Sequence, residues 1–180
     1  HEDMELTNFT YDGTDWTPET PVYWENLGDG KSEDITLRAM YQRADALNKE
    51  QMPEVFLTEI TTKRYEPIEL RFNLAPAKVV VELTSDSEDY NETFTPEELK
   101  DATMLLPSYI SAYEIKNGIF AGGTTTGNIN LVGGQALIVP QKKSGTLATI
   151  TLNGNKYTVT QEEEQEFLAG RVYTITVNLL

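Results

Sequence analysis

The sequence predicts an all-β fold with one or two short helices, its strands arranged as an antiparallel sandwich rather than as a parallel sheet. Three observations predict it. In residues 146–152, 156–160 and 171–179, apolar side chains alternate with Thr, the period of strands that bury one face. Asn153-Gly154, between the first two of these runs, is the strongest short hairpin signal. Elsewhere short apolar runs are broken by Gly, Pro, Asn and Asp with no helix-strand rhythm, which favours sandwiches over a parallel sheet.

Taken in order, strands are expected at residues 6–11, 20–24 and 35–41, with Asp12-Gly13 and Gly28-Asp29-Gly30 as turns. Residues 44–52 suit a short helix or a loop equally, ending before Pro53. Further strands are expected at 55–60, at the clean alternation of 68–74, and at 77–83, with Pro76 at an edge or bulge because it cannot donate to a ladder. Residues 84–92 are polar and acidic, an exposed loop or linker. Thr95-Pro96-Glu97-Glu98 starts a helix, with Thr as N-cap, Pro at the first position and acids favoured by the dipole. That helix is expected to reach about residue 105 and stop before Pro107. A strand at 109–119 ending at Asn117-Gly118, then a Gly/Thr loop at 121–128, lead to the apolar run 136–139, which Pro140 ends. After the 156–160 strand an acidic insert occupies 161–166, and Gly170 leads into the last strand.

Composition narrows the function classes. The chain has 180 residues, 39% of them hydrophobic, with nine Tyr and six Phe, enough for a real core. Fourteen basic and 29 acidic residues give a formal charge of −15, which repels nucleic acid and anionic lipid. With no cysteine there is no disulfide, zinc-thiolate site or thiol nucleophile. No apolar run approaches the roughly 18 residues of a membrane-spanning helix. The first residue is His1 with no leader-like segment after it, so a leader is expected to have been removed or left out.

The motifs mostly dissolve into turns. Gly28-Asp29-Gly30-Lys31-Ser32 ends like a phosphate-binding loop, but the glycine that such a loop needs five positions before Gly30 is Glu25, whose charge would repel phosphate. Asp86, Glu88 and Asp89 resemble the start of a calcium loop, and Glu97 falls at its twelfth position. Asn91 replaces the glycine of the sharp turn and Tyr90 stands at the fifth position, so a hydrated acidic loop is the expectation. His1 is the one histidine, which removes histidine acid–base chemistry, serine–histidine pairs and histidine metal sites together. A carboxylate pair for glycoside hydrolysis stays open in principle, needing two acids across one cleft. Trp16 and Trp24 could form a sugar platform, although aromatics at strand spacing are more often core. Asn8-Phe9-Thr10 and Asn91-Glu92-Thr93 match the glycosylation triplet, which arises often by chance.

Several segments in order resemble the fimbrillin-like family of surface pilus proteins. They are Pro21-Val22-Tyr23-Trp24, the 35–41 strand, Leu70-Arg71-Phe72-Asn73-Leu74-Ala75-Pro76-Ala77-Lys78-Val79, Ala136-Leu137-Ile138-Val139-Pro140-Gln141, the Gly154-to-Tyr157 hairpin, and Leu168-Ala169-Gly170-Arg171-Val172-Tyr173-Thr174-Ile175-Thr176-Val177. The resemblance implies two small transthyretin-like antiparallel β-sandwich domains, expected at residues 1–84 and 85–180, export as a lipoprotein, and display on the outer membrane. It also implies assembly by strand exchange, in which a protease removes a first strand and a neighbour's strand fills the groove. Asn73 stands where the family often has His. No Lys or Arg precedes Lys31, so no basic cleavage site lies before the first expected strands. The chain also ends directly after its last strand, which favours a tip, accessory or terminal subunit.

The expected function is therefore a structural or adhesive pilus subunit of tip or accessory type, exported to the cell surface. No catalytic, cofactor-binding or metal-binding residues are nominated and no cofactor is expected. The expected partners are other pilus subunits and a host protein or glycan. The alternative is a glycan-binding module of an outer-membrane lipoprotein, using Trp16 or Trp24.

Overall fold

The structure, a computed structural model, describes residues 7–27, 33–43, 52–85 and 94–179. The Gly28-to-Ser32 turn, the Asp86, Glu88 and Asp89 loop, the Asn91 triplet and all of the 44–52 stretch except Met52 lie outside those residues. The fold is all-β, and its strands group into several small sheets. The chain divides into two compact units, His1–Ala39 with Thr58–Arg71, and Met40–Leu57 with Phe72–Leu180. The strand ending at residue 84, where the sequence places a boundary, is the centre of a sheet whose two neighbours come from the C-terminal half.

In the first unit, β1 (Phe9–Tyr11) and β2 (Trp16–Pro18) form an antiparallel hairpin. Asp12 Oδ1 accepts from the N–H groups of Thr14 and Asp15, both at 2.8 Å, so the side chain itself shapes the turn at Gly13 (φ 107°). The strand expected at 20–24 does not form. Trp24–Asn26 is a single 3-10 turn, held by the Arg64 guanidinium, which donates to the carbonyls of Trp24 and Leu27. Next come β3 (Asp34–Gln42), β4 (Val55–Lys63) and β5 (Asn73–Leu74), with β4 in the middle and β5 belonging to the second unit. Strands β3 and β4 each contribute residues to both units.

The second unit holds β6 (Ala77–Thr84), α1 (Pro96–Lys100), β7 (Thr103–Ile110), β8 (Tyr113–Lys116), β9 (Ile119–Gly122), β10 (Thr126–Asn130), β11 (Gln135–Ile138), β12 (Gln141–Leu152), β13 (Asn155–Phe167) and β14 (Val172–Asn178). Two sheets, in the orders β10-β7-β12-β13 and β11-β6-β14, enclose one core. Ala77, Val79 and Val81 of β6 with Ala136 and Ile138 of β11 meet Leu106 and Tyr109 of β7, Ala148 of β12 and Phe167 of β13. The last strand departs from the antiparallel expectation: β14 runs parallel to β6, from Val172 opposite Lys78 to Asn178 opposite Thr84.

Helix α1 begins as expected. Thr95 Oγ1 accepts from the Glu98 N–H, and Glu98 Oε2 accepts from the Thr95 N–H, a reciprocal capping box. It ends at Lys100 rather than near 105, because residues 103–105 pair with β12 and Leu105 also pairs with β10. Pro107 lies inside β7 beside a register shift, with Ser108 at φ 56°; an irregularity of this kind is where a strand tolerates a residue without an N–H. Asn117 and Gly118 (φ 53° and 71°) end β8 and turn the chain into β9, whereas much of the expected 121–128 loop is β9 and β10. Asn153 and Gly154 (φ 50° and 78°) make the expected hairpin turn from β12 to β13.

Tyr109 is fully buried in the two-sheet core. Its ring lies 5.8 Å from that of Phe167, its hydroxyl donates to the Leu147 carbonyl at 3.1 Å, and burial pushes its pKa well above the ordinary 10.0. Tyr109→Phe is expected to cost about 1–2 kcal/mol at neutral pH by leaving that carbonyl unpaired. The pH sign follows from linkage. Above pH 10 the unfolded chain releases the Tyr109 proton first, so the native state binds more protons and stability falls as pH rises. Urea unfolding at pH 7 and pH 11 checks both: the gap between wild type and Tyr109→Phe should narrow at the higher pH. A constant gap would remove the role given to the buried hydroxyl.

Candidate functional site

A sheet protein can act through its edges, where strands present unpaired N–H and C=O groups, and through side chains left on its surface. Both kinds of surface occur here. β13 and β10 border one sheet of the second unit, and β11 and β14 border the other. β13 is 13 residues long and contains the whole acidic stretch expected as an insert. Glu162, Glu163, Glu164 and Glu166 are exposed along it. Lys142 of β12 reaches Glu164 at 3.1 Å, and this hydrogen bond, with the charges of Glu164 and Glu166, raises the Lys142 pKa. The stretch stays in the ladder because β12 supplies a partner from Gln141, opposite Phe167, onward. Charges on a long edge also oppose unselective pairing with other strands.

Residues 68–74 carry the alternation that predicts a strand, yet the ladder includes only Asn73 and Leu74. Ile68, Leu70 and Phe72 are exposed, and Glu69 pairs with Arg71 at 3.1 Å. The backbone of 67–72 forms no hydrogen bond with any described residue. Sequence supplies strand character here, and the chain supplies no partner among the described residues.

The two tryptophans separate. Trp16 is exposed, with its ring 5.0 Å from Tyr11, whereas Trp24 is half-buried and 6.1 Å from Tyr65. The exposure of Phe9, Tyr11 and Tyr23 was not legible, since aromatics on alternate strand positions read equally well as core.

Among the described residues no group of three or more metal-binding side chains converges, and Thr149 is the one buried polar residue. Two carboxyls are held below the usual range, Asp12 by the N–H groups of Asp15 and Thr14, and Glu98 by the backbone and then the hydroxyl of Thr95. A general acid needs the opposite shift. No described helix is long and apolar enough to cross a membrane.

Comparison with known proteins adds the following. Three solved structures share the fold, each a candidate cell adhesion protein. That from Bacteroides thetaiotaomicron is 19% identical with a TM-score of 0.55, and the match covers 96% of this chain and 78% of the other. That from Bacteroides uniformis is 18% identical with a TM-score of 0.57, covering 86% and 63%. That from Bacteroides ovatus is 12% identical with a TM-score of 0.50, covering 79% and 55%. This chain therefore spans between about half and three quarters of their length. No curated protein matches it significantly. The sequence pattern of the fimbrillin-like family matches residues 57–180, which takes in the β4-to-β14 order described above, and the chain belongs to the fimbrillin-like family.

Proposed function

We propose that this protein is a non-enzymatic pilus or adhesion subunit of the cell surface, held at the outer membrane and joined to its neighbours by β-strand exchange. The family match over residues 57–180 carries the reading. Segment 67–72 supports the strand-exchange part. A run that alternates exposed apolar residues with charge, and whose backbone has no partner among the described residues, has what an added strand needs: hydrogen bonds for affinity and alternate side chains for register. The long β13 edge is less suited, because four exposed glutamates meet any newcomer. The tip or accessory role is supported by the exposed aromatic face of the β1–β2 hairpin, which suits a subunit that presents a surface rather than one packed within a shaft.

Native protein extracted from the cell surface tests this on a gel, unboiled against boiled, with mass spectrometry of both termini. An inserted strand is kinetically trapped, so strand-exchanged polymers should resist SDS and collapse to monomer on boiling. Replacing Leu70 with Lys should leave the core intact and remove the ladder. Monomer alone in the unboiled wild-type lane would defeat strand exchange.

A further inference from the structure

We propose that the face of the β1–β2 hairpin carrying Phe9, Tyr11 and Trp16 is a binding subsite for a neutral glycan, a property separate from the assembly reading above. In register, Tyr11 lies opposite Trp16 and Phe9 opposite Pro18. Directly opposed and alternate residues share one face of a two-stranded sheet, so all four side chains project the same way, and Thr10 and Thr17 take the other face. Phe9, Tyr11 and Trp16 are 51%, 52% and 56% exposed.

The platform is ordered. The Tyr11 hydroxyl donates to the Gly13 carbonyl at 2.8 Å, which fixes the far end of its ring. Its face meets Trp16 at an interplanar angle of 31°. At the open end of the hairpin, Asn8 Nδ2 donates to Glu19 Oε2 at 3.0 Å and the Glu19 N–H donates to the Asn8 carbonyl at 2.8 Å. Rings held this way lose little freedom when a ligand arrives, which is what a shallow site needs.

Size and charge select the occupant. Aromatic side chains bury roughly 150–250 Å² each, so three half-exposed rings offer about 200–400 Å², well under the roughly 800 Å² per partner of a stable protein interface. That area matches one or two sugar rings, whose C–H faces stack on aromatic rings. Asp12, Asp15 and Glu19 border the face in sequence, and the whole chain carries −15, so a sialylated or sulfated glycan would be repelled. Carboxylates at the rim accept hydrogen bonds from neutral sugar hydroxyls.

The test uses the full chain with Trp24→Phe, so that Trp16 is the sole tryptophan reporter. A panel of neutral hexasaccharides (cellohexaose, mannohexaose, galactohexaose) is titrated against sialyllactose, with Trp16→Phe, Trp16→Ala and Tyr11→Ala made in the same background. A neutral member should shift Trp16 emission with a millimolar or tighter midpoint, and sialyllactose should not. Tyr11→Ala should weaken that binding about tenfold. By ligand-observed NMR, Trp16→Ala should lose it and Trp16→Phe should retain part. Circular dichroism of each variant checks that the sandwich is intact. Three results would overturn the proposal: no response to any neutral hexasaccharide up to about 10 mM, equal binding by Trp16→Ala, or equal binding of sialyllactose. A concentration-dependent dimer that Trp16→Ala abolishes would also overturn it, by assigning the face to a second copy.

Discussion

Phe167→Ala should destabilise the second unit by about 3–5 kcal/mol, the range for removing a large buried aromatic. Phe167 is 1% exposed and closes β13, the strand whose preceding residues are acidic. Its ring stands 5.8 Å from Tyr109 and 4.9 Å from Tyr173 in an edge-on contact, so it joins β7 of one sheet to β14 of the other. Part of the loss is transfer free energy and part is the cavity left between two rigid sheets that cannot close over it. Phe167→Leu, which refills most of the volume, should recover more than half. Because the chain has two units, the denaturant curve must be followed by a signal from the second one, such as amide exchange of β6 and β7. A shift under about 1 kcal/mol would show that the sheets collapse onto the gap and that the ring is not central.

Gly134→Ala should cost about 2–3 kcal/mol, although it adds one methyl group. Gly133 and Gly134, at φ 57° and 76°, turn the chain between Val132 and Gln135, which exchange both backbone hydrogen bonds at 3.0 and 3.2 Å. A Cβ at 134 would come within 2.8 Å of the Val81 carbonyl oxygen, and the Gly134 carbonyl accepts from the Val81 N–H at 2.7 Å. The methyl group therefore meets backbone of the central β6, which has no freedom to yield, on top of the left-handed conformation that L-residues disfavour. Gly133→Ala, with open space around its Cβ, isolates the conformational part and should cost about 1 kcal/mol. Equal effects at the two glycines would remove the clash from the explanation.

These two positions show what sequence could and could not reveal. The Asn153-Gly154 turn, the Thr95 capping box and the apolar alternation of β6, β12 and β14 were legible because each depends on residues a few places apart. The failures have one physical origin, which is pairing with distant residues. Gln161 to Glu166 look like an insert until Gly145, Lys143 and Lys142 stand opposite Gln161, Gln165 and Glu166. Leu105 has helical neighbours in sequence, yet Thr149 and Asn130 hold it in a ladder. Residues 68–72 fail in the opposite sense, with strand character and no ladder to any described residue. Trp24 lost its strand to the Arg64 guanidinium, forty positions away. Of the candidate surface, Trp16 was nominated from sequence, whereas the Phe9 and Tyr11 that complete its face needed the hairpin register to be seen.

The parallel pairing of β6 with β14 sets the order in which the molecule can be finished. Everything from α1 to β13 emerges from the ribosome between these two neighbours, and until residues 172–178 follow, one flank of the central strand stays bare. Loop closure across so much sequence is slow, and a sheet missing a flank holds its shape poorly. A growing polypeptide of this design therefore leaves the sheet around β6 incomplete until β14 has been made.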